Sequence, residues 1–439
     1  MTQSGDAPPP DLAVGKNGGC CAARLGESPH VARRAGCDAQ RMKVLITCVP
    51  GYGHLHPLLP LANALVDAGH DVAIATATDT RARAETAGFA TFSAGIGMSE
   101  TWQRLVRRYP DQAYTRLAPD EIMPWYLPHL FGEIVAPAML EDLVPLVRTW
   151  SPDVIVHDTF EFAAPVAAAM HGVPSVSHTL GIRFEGELLD LAAAAVAPLW
   201  RQHGLAADAT AGLYRHLCLD IMPAALQADA PARCRGVIRG LRPVGPPSIG
   251  GERLPTWLTS RRERSESLVY MTLGTETNTD VTMFRSVLDG LADMDVDVLV
   301  TVGADGDPSF IGSVPGNAHI ERYVPQSSLL PLCSVVICHG GAGTTLGALA
   351  HGVPLLVFPQ GADQYIMSER VASSGAGLRL VPPEVNANSV YRCVLDLLHG
   401  TEHRHAARRI QSEIAAMATP DETVPVIEHT GERVGALSD

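Results

Sequence analysis

The segment Gly53-His54-Leu55-His56-Pro57 follows closely on an apolar run, Lys43 to Val49, and so sets two imidazoles at the carboxyl edge of a strand. Imidazole titrates near neutrality, with a reference pKa of about 6.5, so a histidine there can take a proton from a hydroxyl nucleophile. Such a base works best when a carboxylate orients its ring and stabilises the imidazolium. Asp158 is the candidate, because it closes a second apolar run, Asp153 to His157, at what should be the same sheet edge. His54 is the candidate base, and His56 ranks behind it as a loop or acceptor-lining residue. By residue type alone, a packed or helix-capping histidine explains His54 equally well.

A second constellation suits an anion. His339-Gly340-Gly341-Ala342-Gly343-Thr344-Thr345 stands between a strand-type run and a helical one. Glycines let backbone approach an anion closely, and a helix N-terminus offers unpaired N–H groups and a positive dipole end. Thr344 and Thr345 add hydroxyl donors, and His339 can donate to a phosphate oxygen. This can bind a diphosphate without a metal, although a glycine turn that merely permits tight packing has the same spelling. Downstream, Asp363 and Gln364 follow Phe358-Pro359-Gln360-Gly361-Ala362 and carry acceptors and donors suited to sugar hydroxyls. Asp363 can equally be a plain helix N-cap. Thr275, after Leu273-Gly274, closes another strand at the same sheet edge.

The elements that must position these residues alternate strictly. A helix is expected from Pro57 to Ala68 with Gly69 as its C-cap, then a strand at Val72–Thr76. The rhythm recurs at Asp153–Val156, Phe160–His171 and Pro174–Ser177. It stops at Leu241-Arg242-Pro243-Val244-Gly245-Pro246-Pro247, a linker composition, and resumes with strands at Leu268–Leu273, Val296–Val302, Val335–Cys338 and Pro354–Phe358. Fully apolar strands alternating with helices imply parallel sheets buried on both faces. The fold class is therefore α/β, with two doubly wound, Rossmann-like domains over 42–245 and 263–419, a linker at 246–262, and an inter-domain cleft. Ligands of such sheets sit at the strands' carboxyl ends.

Composition narrows the function. The chain has 439 residues, 46% hydrophobic and 18% charged, which is enough for two packed cores. A net charge of −14 excludes a nucleic-acid partner that needs a basic face. No apolar run spans a membrane; the longest candidate, Leu188 to Leu199, is broken by Asp190 and Pro198. The nine cysteines lack zinc or redox spacing and read as free thiols of a cytoplasmic protein. Residues 1–41 have neither a strand nor a signal-peptide core and read as a disordered extension. Asp293-Met294-Asp295 has the spelling of a metal-binding Asp-x-Asp but falls in a turn, where acids are ordinary, and no metal site is expected. Gly51-Tyr52-Gly53 resembles the start of a dinucleotide fingerprint, with His56 where the third glycine belongs.

Read in order, Tyr323-Val324-Pro325-Gln326, His339 to Thr344, Gly352-Val353-Pro354 and Asp363-Gln364 resemble the donor signature of nucleotide-sugar glycosyltransferases of GT-B fold. The likeness extends from Met42 to the C-terminus and is greatest to actinobacterial enzymes that glycosylate antibiotics such as enediynes. It implies an inverting, metal-independent hexosyl transfer to a hydroxyl of a small natural-product aglycone, with a nucleotide sugar as co-substrate and no cofactor. By the same likeness, Tyr323 and Val324 flank the nucleobase, His339, Gly341, Ala342, Gly343 and Thr344 hold the diphosphate, and Asp363 and Gln364 read the sugar. It matches His54 to the base and Asp158 to its partner, and it sends the stretch 420–439 back to brace the first domain. Relatives using UDP-sugars commonly carry a ribose-binding glutamate where this chain has Gly347, which favours a dTDP-sugar. The first domain should hold the acceptor, with Trp102, Trp125 and Tyr126 as candidate walls; ordinary packing explains those rings equally well. A nicotinamide-dependent oxidoreductase and a non-catalytic sugar-nucleotide binder are the alternatives. The sequence leaves monomer or homodimer open.

Overall fold

The computed structural model describes residues 41–227, 231, 233–245, 254–260, 267–274, 280–303 and 306–435. Thr275, residues 1–40 of the expected extension and most of the expected linker lie outside the described residues. Seven strands form the first sheet: β1 (Lys43–Thr47), β2 (Asp71–Thr76), β3 (Ala90–Ser93), β4 (Val154–Asp158), β5 (Ser175–His178), β6 (Leu217–Asp220) and β7 (Val237–Gly240). Six form the second: β8 (Ser267–Thr272), β9 (Val296–Thr301), β10 (Ala318–Glu321), β11 (Val335–Cys338), β12 (Leu355–Val357) and β13 (Gly377–Arg379). Every named pairing is parallel. That is what continuous apolar strands such as Val-Ile-Val (154–156), buried on both faces, require.

Strand order fixes where ligands can go. The first sheet runs β3-β2-β1-β4-β5-β6-β7 and the second β10-β9-β8-β11-β12-β13. In each, the chain reverses its direction of growth beside the first strand, between β1 and β4 and between β8 and β11. Crossover helices leave opposite faces of the sheet at such a point, opening a crevice at the carboxyl ends. The turns after β1 and β4 carry the His54 and Asp158 segments, and the turns after β8 and β11 carry Gly274 and the His339 loop.

Local structure departs from expectation at the first crossover. The chain turns helical at Tyr52, passes through a tight turn at His56–Leu58 and continues as Leu59–Asp67, so His54 lies inside a helical turn rather than in a loop before Pro57. The phosphate-loop helix begins at Ala342, within the glycine run itself. The alanine-rich segment is one helix, Gly186–Gln202, packed on a π-helical stretch, Leu127–Val135.

One buried apolar cluster runs through both halves, from Val44 and Leu55 to Tyr270, Leu346 and Met367. The terminal helix Pro420–Gly435 packs against Leu59–Asp67, and His70 meets Glu428 at 3.1 Å. The Arg242 amide donates to the Ala418 carbonyl at 2.7 Å, stitching the end of the first half to the strand-like entry of that helix. Ile427 is fully buried within this cluster. Ile427→Ala should therefore cost about 2–5 kcal/mol in urea unfolding through lost burial and a residual cavity. A loss well under about 1 kcal/mol would mean that the helix bears little on the shared core.

Candidate active site

The first half-site is organised by Asp158. Its carboxylate is fully buried, with Oδ2 accepting the Val49 amide at 2.9 Å and Oδ1 the Phe160 amide at 2.6 Å. These two bonds tie the turn after β1 to the turn after β4. The His54 Nδ1 lies 3.4 Å from Asp158 Oδ2, close but not aligned for a hydrogen bond. Catalytic hydrogen bonds are often this long before substrate binds and tighten only in the complex. Phe160 meets the His54 ring edge-on at 5.3 Å and Phe131 lies at 6.2 Å, which leaves the imidazole one-fifth exposed.

Beneath this pair sits Glu161, which the sequence reading passed over. Its carboxyl accepts from the Thr47 hydroxyl at 2.7 Å and from the Ala163 amide at 2.8 Å, and it is fully buried. Burial, joined by the charge of Asp158, raises it from its usual 4.5 to about 7. An acid just before an apolar helical run was the signal for it, since carboxylates favour free N–H groups there. Phe131 and Phe160 were also missed, because apolar rings beside a base have no signature distinct from core.

His56 is not on the base. It stacks on Tyr52 with ring centroids 5.6 Å apart, and burial with the nearby Arg83 charge lowers it to about 4. Trp102 and Trp125 each meet Tyr126 edge-on, and Trp125 also stacks on Tyr114. These rings build a cluster with Tyr109 and His129, whereas the rings touching His54 are Phe131 and Phe160.

On the second half, the glycines answer a steric demand. Gly340 has φ +93°, and a Cβ on Gly274 would come within 2.6 Å of the His339 ring. A Cβ on Gly341 would overlap the same Cε1–Nε2 edge of that ring. The imidazole edge thus abuts two bare backbone segments, with no partner for Nδ1 among the described residues. Burial lowers His339 to about 4, so it is neutral and donates through one N–H. Gly341 precedes the helix Ala342–Ala350, whose first amides point out of its N-terminus.

Several donor candidates are placed differently from expectation. Thr344 is buried and bonded to the Gln326 amide at 3.2 Å, and Gln326 also reaches the Tyr270 hydroxyl. Thr345 faces inward, against the Cys338 sulfur at 3.9 Å. Tyr323 is half exposed, whereas the Val324 side chain enters the core, so only its backbone can meet a base. Gln364 turns its carbonyl oxygen onto the Gln360 and Gly361 amides at 2.9 and 3.1 Å, which leaves its NH₂ group to donate. Asp363 stands at the N-cap position but caps nothing with its side chain. Its carboxyl is raised by burial and pulled back by the charge of His54 across the cleft. Beside Gly347, a Cβ would come within 3.0 Å of Leu330. Asp293 and Asp295 precede β9, at the edge of the sheet away from the glycine loop. Among the described residues no cluster of three or more His, Cys, Asp or Glu is arranged to hold a metal, and no helix is long and apolar enough to cross a membrane.

Models of the erythromycin biosynthesis protein CIII-like family match twice, the N-terminal domain over residues 63–274 and the C-terminal domain over 285–430. The L-demethylnoviosyl transferase of Streptomyces niveus is 30% identical over 398 residues, covering 86% of this chain and 96% of that protein. The chain belongs to the GT-B antibiotic glycosyltransferases. Among solved structures, the glycosyltransferase VinC in complex with dTDP superposes with a TM-score of 0.72 at 27% identity, covering 89% of this chain and all of that one. The spinosyn rhamnosyltransferase SpnG complexed with thymidine diphosphate gives the same TM-score and identity, with 88% and 100% covered. This glycosyltransferase transfers a sugar to an aglycone, and its cleft accordingly takes a sugar nucleotide and that acceptor.

The buried titrating groups of this glycosyltransferase set its stability against pH. His56, His157, His178 and His339 are each lowered to about 4, chiefly by burial. The unfolded chain binds protons that the fold excludes, so their contribution is present above about 6.5 and lost as pH falls through 4. Glu161 has the opposite sign: its contribution is present below 4.5 and lost as pH rises through about 7. Glu161→Gln cannot ionise, so its melting temperature should gain on wild type by a few °C between pH 5 and pH 8. A constant difference across that range would mean that the carboxyl ionises as readily in the fold as outside it.

Proposed function

We propose that this glycosyltransferase moves a deoxysugar from a dTDP-sugar to a hydroxyl of a small natural-product aglycone, with inversion and without a metal or cofactor. The observation that carries the reading is that the carboxyl edges of the two sheets meet. His54 stands beside the buried Asp158 at the first edge, and in the turn after β5 a Cβ on Gly181 would lie 3.4 Å from Oδ2 of Asp363, which opens the helix next to the glycine loop. Base and donor loop thus face one space.

In the proposed step His54 removes the proton of the acceptor hydroxyl while that oxygen attacks the anomeric carbon. The bond from that carbon to the diphosphate oxygen breaks, and the electron pair leaves with dTDP. Asp158 holds the ring and stabilises the imidazolium. The negative charge on the departing diphosphate meets the N-terminus of Ala342–Ala350 and the His339 N–H, dipoles already in position. Attack opposite the leaving group inverts the anomeric centre. The thymidine diphosphate bound by VinC and SpnG supports the choice of nucleotide, as does Gly347, where Leu330 occupies the space beside the backbone. The buried free thiols of Cys48, Cys218 and Cys338 fit a reducing cytoplasm as its place of work.

The test is calorimetry with dTDP, UDP and NAD⁺ in EDTA, followed by transfer assays over dTDP-sugars with aromatic and macrolactone aglycones. Tighter binding of dTDP than UDP is expected, whereas binding of NAD⁺ alone, or of nucleotide only once a divalent ion is restored, would sink the proposal. His54→Ala should cut transfer by about 10²–10⁴-fold while dTDP affinity holds. Retention of full rate would remove His54 from the mechanism, and NMR showing a retained anomeric configuration would exclude the single displacement.

A further inference from the structure

One glycine of the first half lies against the donor side of the second. Gly181 follows β5 in the turn between Thr179 and Phe184, and it is buried. A Cβ built on it would lie 3.3 Å from the Ala342 Cβ, 3.4 Å from Asp363 Oδ2 and 3.4 Å from the Met367 methyl. Those three residues are the first of the phosphate-loop helix, the carboxylate at the start of the following helix, and a side chain one turn into that helix. The turn has little freedom to yield. Thr179 donates its amide to the Leu219 carbonyl at 2.8 Å, and its hydroxyl both donates to Asp220 and accepts the Ile221 amide. Arg183 is paired with the same Asp220. Just beyond the contact the two halves part around a cavity of about 240 Å³ bordered by Ile182, Glu185, Ile366 and Arg370.

We propose that Gly181 is a specificity-determining residue: its missing side chain leaves the Asp363 carboxylate open to the sugar of the donor. An alanine Cβ would touch Asp363 and Met367 at ordinary contact distance and crowd Ala342 by a few tenths of an ångström, whereas the γ carbons of a valine project into the space the three share, and the braced turn passes that volume on to the sugar. Backbone conformation does not demand glycine, since Gly181 is not among the glycines with positive φ. The demand is for space. The inference rests on the reading of Asp363 as the residue that meets the sugar, and the variants below separate the two.

The experiment is calorimetry on the full chain and on Gly181→Ala, Gly181→Val and Asp363→Asn. The probes are dTDP and dTDP-glucose, with UDP and UDP-glucose in parallel and melting temperatures as a check on folding. Bare nucleotide should bind every variant within about twofold of wild type, because it needs only the second half. The sugar nucleotide should lose about tenfold on Gly181→Val and less on Gly181→Ala, the scale of overpacking a tight site. Unchanged sugar-nucleotide affinity on Gly181→Val, or an equal loss of bare nucleotide, overturns the proposal. If Gly181→Val melts early, the weaker Gly181→Ala is read by the same criterion. Wild-type affinity for the sugar nucleotide in Asp363→Asn would instead overturn the reading of Asp363. A loss there with none at Gly181 sinks the Gly181 proposal alone.

Discussion

The Asp158 carboxylate is the tie on which the first half of the cleft depends. A fully buried carboxylate is costly unless its oxygens are bonded, and here two backbone amides, from Val49 and Phe160, meet that cost. Because those amides come from the turns after β1 and β4, the same bonds that offset desolvation also lock together the two loops of the switch point. His54 inherits its position from this lock. Glu161 repeats the device one layer down, joining Thr47 at the end of β1 to the start of the next helix.

The second half solves an opposite electrostatic problem. It must receive an anion, and it does so with oriented dipoles and a neutral ring. Burial keeps His339 uncharged, and bare backbone at Gly274 and Gly341 leaves room for the ring. Positive character then comes from the helix terminus, which needs no reorganisation when charge develops on a leaving group. The halves are joined by one apolar cluster, with the terminal helix packed against the first half, so the distance between base and loop is a property of the packed whole.

What was legible in the sequence is what short-range physics controls. Apolar runs spaced by helical segments gave two parallel sheets, and glycines between a strand and a helix gave the anion loop. The histidine after β1 and the aspartate closing β4 could be read because a doubly wound sheet sends the ends of its strands to one edge. Side-chain direction was not legible. Val324 and Thr345 carry suitable chemistry in the right segments yet turn inward, and Gln364 spends its carbonyl on its own loop. The aromatic residues Trp102, Trp125 and Tyr126 read in sequence equally as a ligand wall or as packing, and in the fold Trp102 and Trp125 each meet Tyr126 edge-on.

Local pattern was enough to show two parallel sheets, eight of their strands and the residue types available at each switch point, because periodicity and turn chemistry act within a few residues; the short or half-exposed strands β3, β6, β7, β10 and β13 carry no such pattern. Tertiary structure alone decided which groups meet. Contacts such as His54 with Asp158, Thr47 with Glu161, and Gly181 beside Asp363 join segments far apart in the chain. Their geometry follows from how two cores pack, a constraint no local pattern encodes. Burial did the rest: it keeps His339 neutral and makes one glutamate a group titrating near neutrality.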